Sequence, residues 1–100
     1  MVMTIDISVY PNPFDHYIIL EITCHTNIDC IILLSDLEQG KIIRMMGASL
    51  KAGTNRVPFN NLEQLTAGNY HLEIKTAGGG SIYRTRLFKQ SAESPFIHLN

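Results

Sequence analysis

The stretch Leu65-Thr66-Ala67-Gly68-Asn69-Tyr70-His71-Leu72-Glu73-Ile74 constrains this chain more than any other. Tyr70, Leu72 and Ile74 alternate with Asn69, His71, Glu73 and Lys75. That is the period of two of a strand with one dry face and one wet face. Gly68 lies just ahead, where a residue without Cβ lets the chain bend sharply into the strand, and the spacing predicts a positive φ there. The Tyr70 ring is then expected to enter the core with its hydroxyl in need of a hydrogen-bond partner.

The same rhythm recurs along the chain. Residues 4–10 alternate Ile5, Ile7 and Val9 against Thr4, Asp6, Ser8 and Tyr10, and stop at Pro11-Asn12-Pro13. Two prolines remove two backbone donors, so the chain must leave the ladder there and cross elsewhere. Residues 17–24 place Ile18, Leu20, Ile22 and Cys24 on an inner parity, with Tyr17, Ile19, Glu21 and Thr23 outside. Residues 28–35 are almost all apolar, as expected of a strand that is central or covered on both faces. Asp36-Leu37-Glu38-Gln39-Gly40-Lys41 supplies a turn with a glycine available for positive φ. A short strand is predicted at 42–46 and a loop at 47–52 ending at Gly53. Asn55, Val57 and Phe59 then point inward, and Pro58 marks an edge strand. Residues 60–67 connect to the central strand with Leu62 and Leu65 folded beneath it. Gly78-Gly79-Gly80 turns the chain into a last strand at 81–89.

Seven short strands separated by turn signals, with no helical period, predict an all-β, antiparallel sandwich. The Gly68 turn leading into Tyr70 resembles the tyrosine corner of immunoglobulin-like sandwiches, where the phenol bonds back to upstream backbone. Residues 1–90 are expected to form this one domain, with 91–100 as a carboxy-terminal tail rather than an eighth strand.

Composition narrows the function classes. At 100 residues and 45% hydrophobic content the chain is the size of one domain with one core. Net charge is −1 and the basic residues are scattered, which removes the footprint that nucleic acid or an anionic membrane requires. No apolar run nears the roughly 20 residues that span a bilayer as a helix. Residues 1–6 lack the basic start and apolar centre of a secretory signal.

The candidates for site chemistry are weak. Cys24, His25, Asp29 and Cys30 form the densest group of potential ligands, but the spacing is not that of a zinc knuckle. A metal site, a Cys24–Cys30 disulfide and two buried thiols stay open at this point. The turn at Asp36 lacks the further carboxylates of a calcium loop. His16, His25, His71 and His98 are scattered, Ser49 and Ser81 lack a nucleophile elbow, and no catalytic constellation can be assembled, so no enzyme, cofactor or metal is expected. A carbohydrate-binding module would need an aromatic platform. With no tryptophan, Tyr17, Tyr83 and Phe88 are the outer aromatics available to it.

Five segments in order carry a family resemblance: Val9-Tyr10-Pro11-Asn12-Pro13-Phe14, Ser35-Asp36-Leu37-Glu38-Gln39-Gly40-Lys41, Gly53-Thr54-Asn55, Leu65-Thr66-Ala67-Gly68-Asn69-Tyr70, and Arg84-Thr85-Arg86-Leu87-Phe88-Lys89. The chain resembles the type A carboxy-terminal sorting domain of the type IX secretion system of Bacteroidota. The resemblance implies a non-catalytic domain at the end of an exported protein. Such a domain is recognised by the translocation machinery and a sortase-like peptidase, and travels from the periplasm to the cell surface or the medium. It makes Pro11, Asn12, Pro13, Asp36, Gly40, Gly53, Asn55, Gly68 and Tyr70 structural motif positions, and places Arg84, Arg86 and Lys89 on a basic terminal strand open to a partner. The immunoglobulin-like domain of flagellar hook-capping proteins is also similar. An independent binding or assembly module, for carbohydrate or protein, is the alternative, and an edge-strand homodimer is a candidate assembly.

Overall fold

The computed structural model describes residues 5–91, so the expected tail from residue 92 onward lies outside the described residues. Seven strands follow in chain order: β1 (Asp6–Tyr10), β2 (Ile18–Cys24), β3 (Ile28–Asp36), β4 (Lys41–Leu50), β5 (Gly53–Phe59), β6 (Gly68–Thr76) and β7 (Ser81–Lys89). They form a three-stranded sheet in the order β1-β2-β5 and a four-stranded sheet in the order β4-β3-β6-β7, antiparallel throughout. This is the expected immunoglobulin-like β-sandwich.

Alternation decides which side chains lie between the sheets. Ile18, Leu20, Ile22 and Cys24 of β2 face Cys30, Ile32 and Leu34 of β3 and Tyr70, Leu72 and Ile74 of β6 across the core, all 3% exposed or less. Leu87, Leu50, Phe59, Phe14 and Leu62 complete it. β3 is nearly all apolar because it is central, flanked by β4 and β6, and its outer Ile31 remains 38% exposed. The proline-bearing β5 is an edge, where Pro58 forfeits no ladder bond its sheet needs.

One element is longer than its sequence predicts. β4 continues through 47–50, expected as loop, because Ala48 and Leu50 keep the inward parity opposite Cys30 and Ile28 while Gly47 stands opposite Ile31 on the outer side. A residue without a side chain hides the period without breaking the ladder. Two register shifts also occur, at Leu34/Ser35 against β4 and at Ile74/Lys75 against β7. The second skips Ile82, so parity in β7 does not run unbroken from Ser81.

Candidate functional site

The motif residues first explain themselves as corner pieces. Asp36 Oδ1 accepts the N–H groups of Glu38 and Gln39 at 2.8 and 3.2 Å, and Gly40 closes the turn with its N–H on the Asp36 carbonyl at φ +68°. This Asx-type turn fixes the β3–β4 hairpin. At the β4–β5 corner, Gly53 has φ +108° and the Asn55 side chain accepts Lys51 N–H at 2.9 Å while its amide reaches the carbonyls of Lys51, Gly53 and Ile22. Gly68 has φ +146°, and a Cβ there would lie 2.9 Å from Glu38 Oε2. Tyr70, 2% exposed, donates its hydroxyl proton to the Thr66 carbonyl at 2.5 Å and stands edge-on to Phe14, ring centroids 6.0 Å apart. The tyrosine corner is therefore present.

The remaining motif residues converge on β7, one of the two edge strands of the larger sheet. Pro11-Asn12-Pro13-Phe14 crosses from β1 to lie along that edge. Asn12 Oδ1 accepts Phe88 N–H at 2.9 Å and its Nδ2 donates to the Arg86 carbonyl at 3.3 Å, so one side chain takes the place of a neighbouring residue's backbone. Phe14 N–H bonds the Phe88 carbonyl and Gln90 N–H bonds the Phe14 carbonyl, both at 2.9 Å. The carboxy half of the edge is thus occupied. Both prolines follow cis peptide bonds.

The outward face of β7 presents Arg84, Arg86 and Phe88 in alternation. Behind them, β6 contributes Glu73 opposite Arg84 and His71 opposite Arg86. Arg84 Nε lies 3.2 Å from Glu73 Oε2 with the arginine side chain 66% exposed. A hydrogen bond from Ser81, joined by the Arg84 guanidinium, holds the Glu73 carboxyl below the usual range. Lys89 does not join the arginines. It is 1% exposed, on the same inward parity as Leu87 and opposite Gly68, which has no side chain to compete for the space. Its ammonium is buried with the stem and donates to the Gln90 carbonyl at 3.0 Å, which gives the sequestered charge a hydrogen-bond partner. The expected basic trio is therefore corrected to a pair.

Two other expectations are also revised. Tyr83 is not an outer aromatic: it shares the inward parity of Leu87 and Lys89, stands opposite Ile74 and packs against the core. Tyr17 flanks the smaller sheet and Phe88 the larger one, both exposed, so the three do not make a platform. Cys24 and Cys30 are free, buried thiols on facing sheets. Cys24 Sγ donates to the Lys51 carbonyl at 3.3 Å, and burial pushes the Cys30 thiol up. Among the described residues, no group of three His, Cys, Asp or Glu side chains is placed to hold a metal ion.

Sequence reasoning did not find the Asn12 bridge, since it joins positions 76 residues apart. Nor did it find the Glu73–Ser81–Arg84 group. Its only sequence signal was Glu73 on the wet parity of β6.

Comparison with protein families gives a match to the secretion-system carboxy-terminal sorting domain over residues 8–88. The chain belongs to this family of type IX sorting domains. The match runs from the residue before Val9 to the residue before Lys89, and so takes in almost all of the sandwich, including every corner piece above. The family is a sorting-signal family without catalysis, and membership implies dealings with the secretion machinery and export. The comparison with curated proteins finds no match. Among solved structures, the sorting domain is similar in fold to part of a Bifidobacterium adolescentis GH3 beta-glucosidase, with a TM-score of 0.51 at 13% identity. That likeness covers 88% of this chain and 17% of the glucosidase, and at this identity it concerns the sandwich alone.

Proposed function

We propose that this sorting domain directs a cargo protein through type IX secretion to the cell surface, and that Arg84 and Arg86 are the side chains its machinery reads. The observation that carries the reading is the family match over the sandwich. The geometry refines it. A partner cannot add a strand along the whole of β7, because Asn12 and Phe14 already bond its backbone at Arg86, Phe88 and Gln90. What remains open is the outward face, where two guanidiniums offer planar, permanently charged donors to carboxylates of a partner. Lys89 contributes by filling the inner side, not as a surface cation.

The test places the chain behind a periplasm-directed reporter in a host with type IX secretion. Surface display is expected for the full chain and for a version ending at Gln90, and loss is expected when residues 81–100 are removed. A folded fusion that stays in the periplasm in every version would reject sorting. Retention of the isolated domain on a polysaccharide column, weakened by Tyr17→Ala, would favour the binding-module alternative.

A further inference from the structure

The two sheets have four edges, and three of them are short, proline-bearing or partly covered. β1 is five residues long and runs into Pro11, β5 contains Pro58, and β7 is bonded by Asn12 and Phe14 over its carboxy half. Short edges, prolines and covering segments are the usual means of preventing strand addition. β4 has none of them. It spans ten residues with no proline, and among the described residues no backbone group of Lys41–Leu50 is bonded outside the ladder to β3.

The side chains on this edge are also unusual. Met45 is 67% exposed and Ile42 54%, and beside them β3 adds Ile31 and the half-buried Leu33, which pairs with Met45. Gly47, opposite Ile31, leaves backbone uncovered. An exposed, long, apolar edge is a pairing site unless something shields it.

Charge decides what would pair. β4 begins at Lys41 and is followed by Lys51, with no acidic residue between them, while the Arg44 guanidinium is turned to the inner parity and donates to the Asn60 and Asn61 carbonyls at 3.1 and 2.7 Å. The nearest carboxylates on β3 are engaged: Asp36 by the turn amides and Asp29 by Ser49 Oγ at 3.0 Å. A second copy would set the same lysine-flanked strand against itself with no carboxylate to match the lysines, which like-charge pairs disfavour. A strand with apolar side chains and acidic flanks meets no such penalty.

We propose that the β4 edge is a docking site for an extended segment of a partner protein, apolar along its middle and flanked by carboxylates, which adds to the four-stranded sheet beside β4. Backbone pairing supplies the affinity and the lysines at each end supply direction and selectivity. The site is distinct from the Arg84 and Arg86 face, which lies across the sheet on β7, and it does not depend on the sorting reading.

The probe is the peptide Glu-Glu-Val-Thr-Val-Thr-Val-Glu-Glu, titrated into the full chain and followed by amide NMR. Shifts are expected across Lys41–Leu50 with the domain remaining monomeric. A lysine-flanked peptide and an N-methylated peptide should each bind about tenfold or more weakly, since one loses charge complementarity and the other the backbone donors. Met45→Glu, at an exposed position that leaves the fold intact, should weaken the acidic peptide similarly, and Arg86→Glu should not. The proposal is overturned by an absence of shifts, by shifts centred on β1, β5 or β7, or by equal binding of the lysine-flanked peptide. Concentration-dependent self-association through β4 without the peptide would also overturn it, by making a second copy the occupant.

Discussion

Tyr70 joins three corners of this domain through one side chain: its ring fills the core against Phe14, its hydroxyl holds Thr66, and its backbone pairs with Asp36. Tyr70→Phe keeps the ring and strands the Thr66 carbonyl, so a loss of about 1–2 kcal/mol is expected in urea unfolding. Tyr70→Ala should cost about 3–5 kcal/mol, a large fraction of a small domain's stability. Equal losses for the two would show that packing contributes nothing beyond the hydroxyl. Gly68 is a separate case, because two effects act on it. The backbone at φ +146° resists any Cβ, and the Glu38 carboxylate stands where that atom would go. Gly68→Ala should therefore destabilise by about 1–3 kcal/mol. Adding Glu38→Ala should recover only the part due to contact, and full recovery would mean that the backbone angle carries no strain. The Glu73 carboxyl offers a pH test. Its lowered pKa means the folded state is favoured by the ionised form above the ordinary carboxylate range, and that contribution is lost as pH falls through the folded-state pKa below it. Because the Ser81 hydrogen bond is the larger cause, Ser81→Ala should raise the Glu73 titration more than Arg84→Gln does in a carboxyl NMR titration.

At the scale of elements, strands with strict alternation were legible from their residues, and those interrupted by glycine, bulge or lysine were not. β6 and β2 follow their parity without a break, and Pro58 marked an edge correctly. β4 was read short because Gly47 presents no side chain to continue the period. Tyr83 shares the parity of Leu87 and so faces inward opposite Ile74, while the shift at Ile74/Lys75 interrupts the alternation only between Ser81 and Tyr83. Lys89 was read as surface because charge outweighs parity in a sequence, whereas in the fold its stem is long enough to be buried with the ammonium at Gln90. The bridge from Asn12 to β7 required knowing which distant strand the Pro-Asn-Pro-Phe segment reaches. Asn12→Ala should expose Phe88 N–H, accelerating its hydrogen exchange by about tenfold or more while β3 and β6 amides are unchanged. Unaltered exchange at Phe88 would show that Asn12 does not hold this edge.

The whole molecule is a sandwich of two sheets in which the carboxy half of the β7 edge is covered, the β4 edge is open, and the surface arginines lie on β7. The motif residues at 36, 40, 53, 55, 68 and 70 set the corners, and no described cluster of them offers chemistry to a substrate. What distinguishes the β7 face is that its side chains are exposed while the backbone of its carboxy half is already bonded, so the recognition proposed there goes through side chains. The most direct measurement compares the surface-displayed fraction of a reporter fused to the native domain with that of the Arg84→Glu/Arg86→Glu variant, in a type IX host and with folding checked by amide NMR. Our account predicts efficient display of the native fusion and a fall of about tenfold or more for the charge-reversed one, since reversing two charges turns attraction to a partner's carboxylates into repulsion. Equal display of the two folded fusions would contradict it.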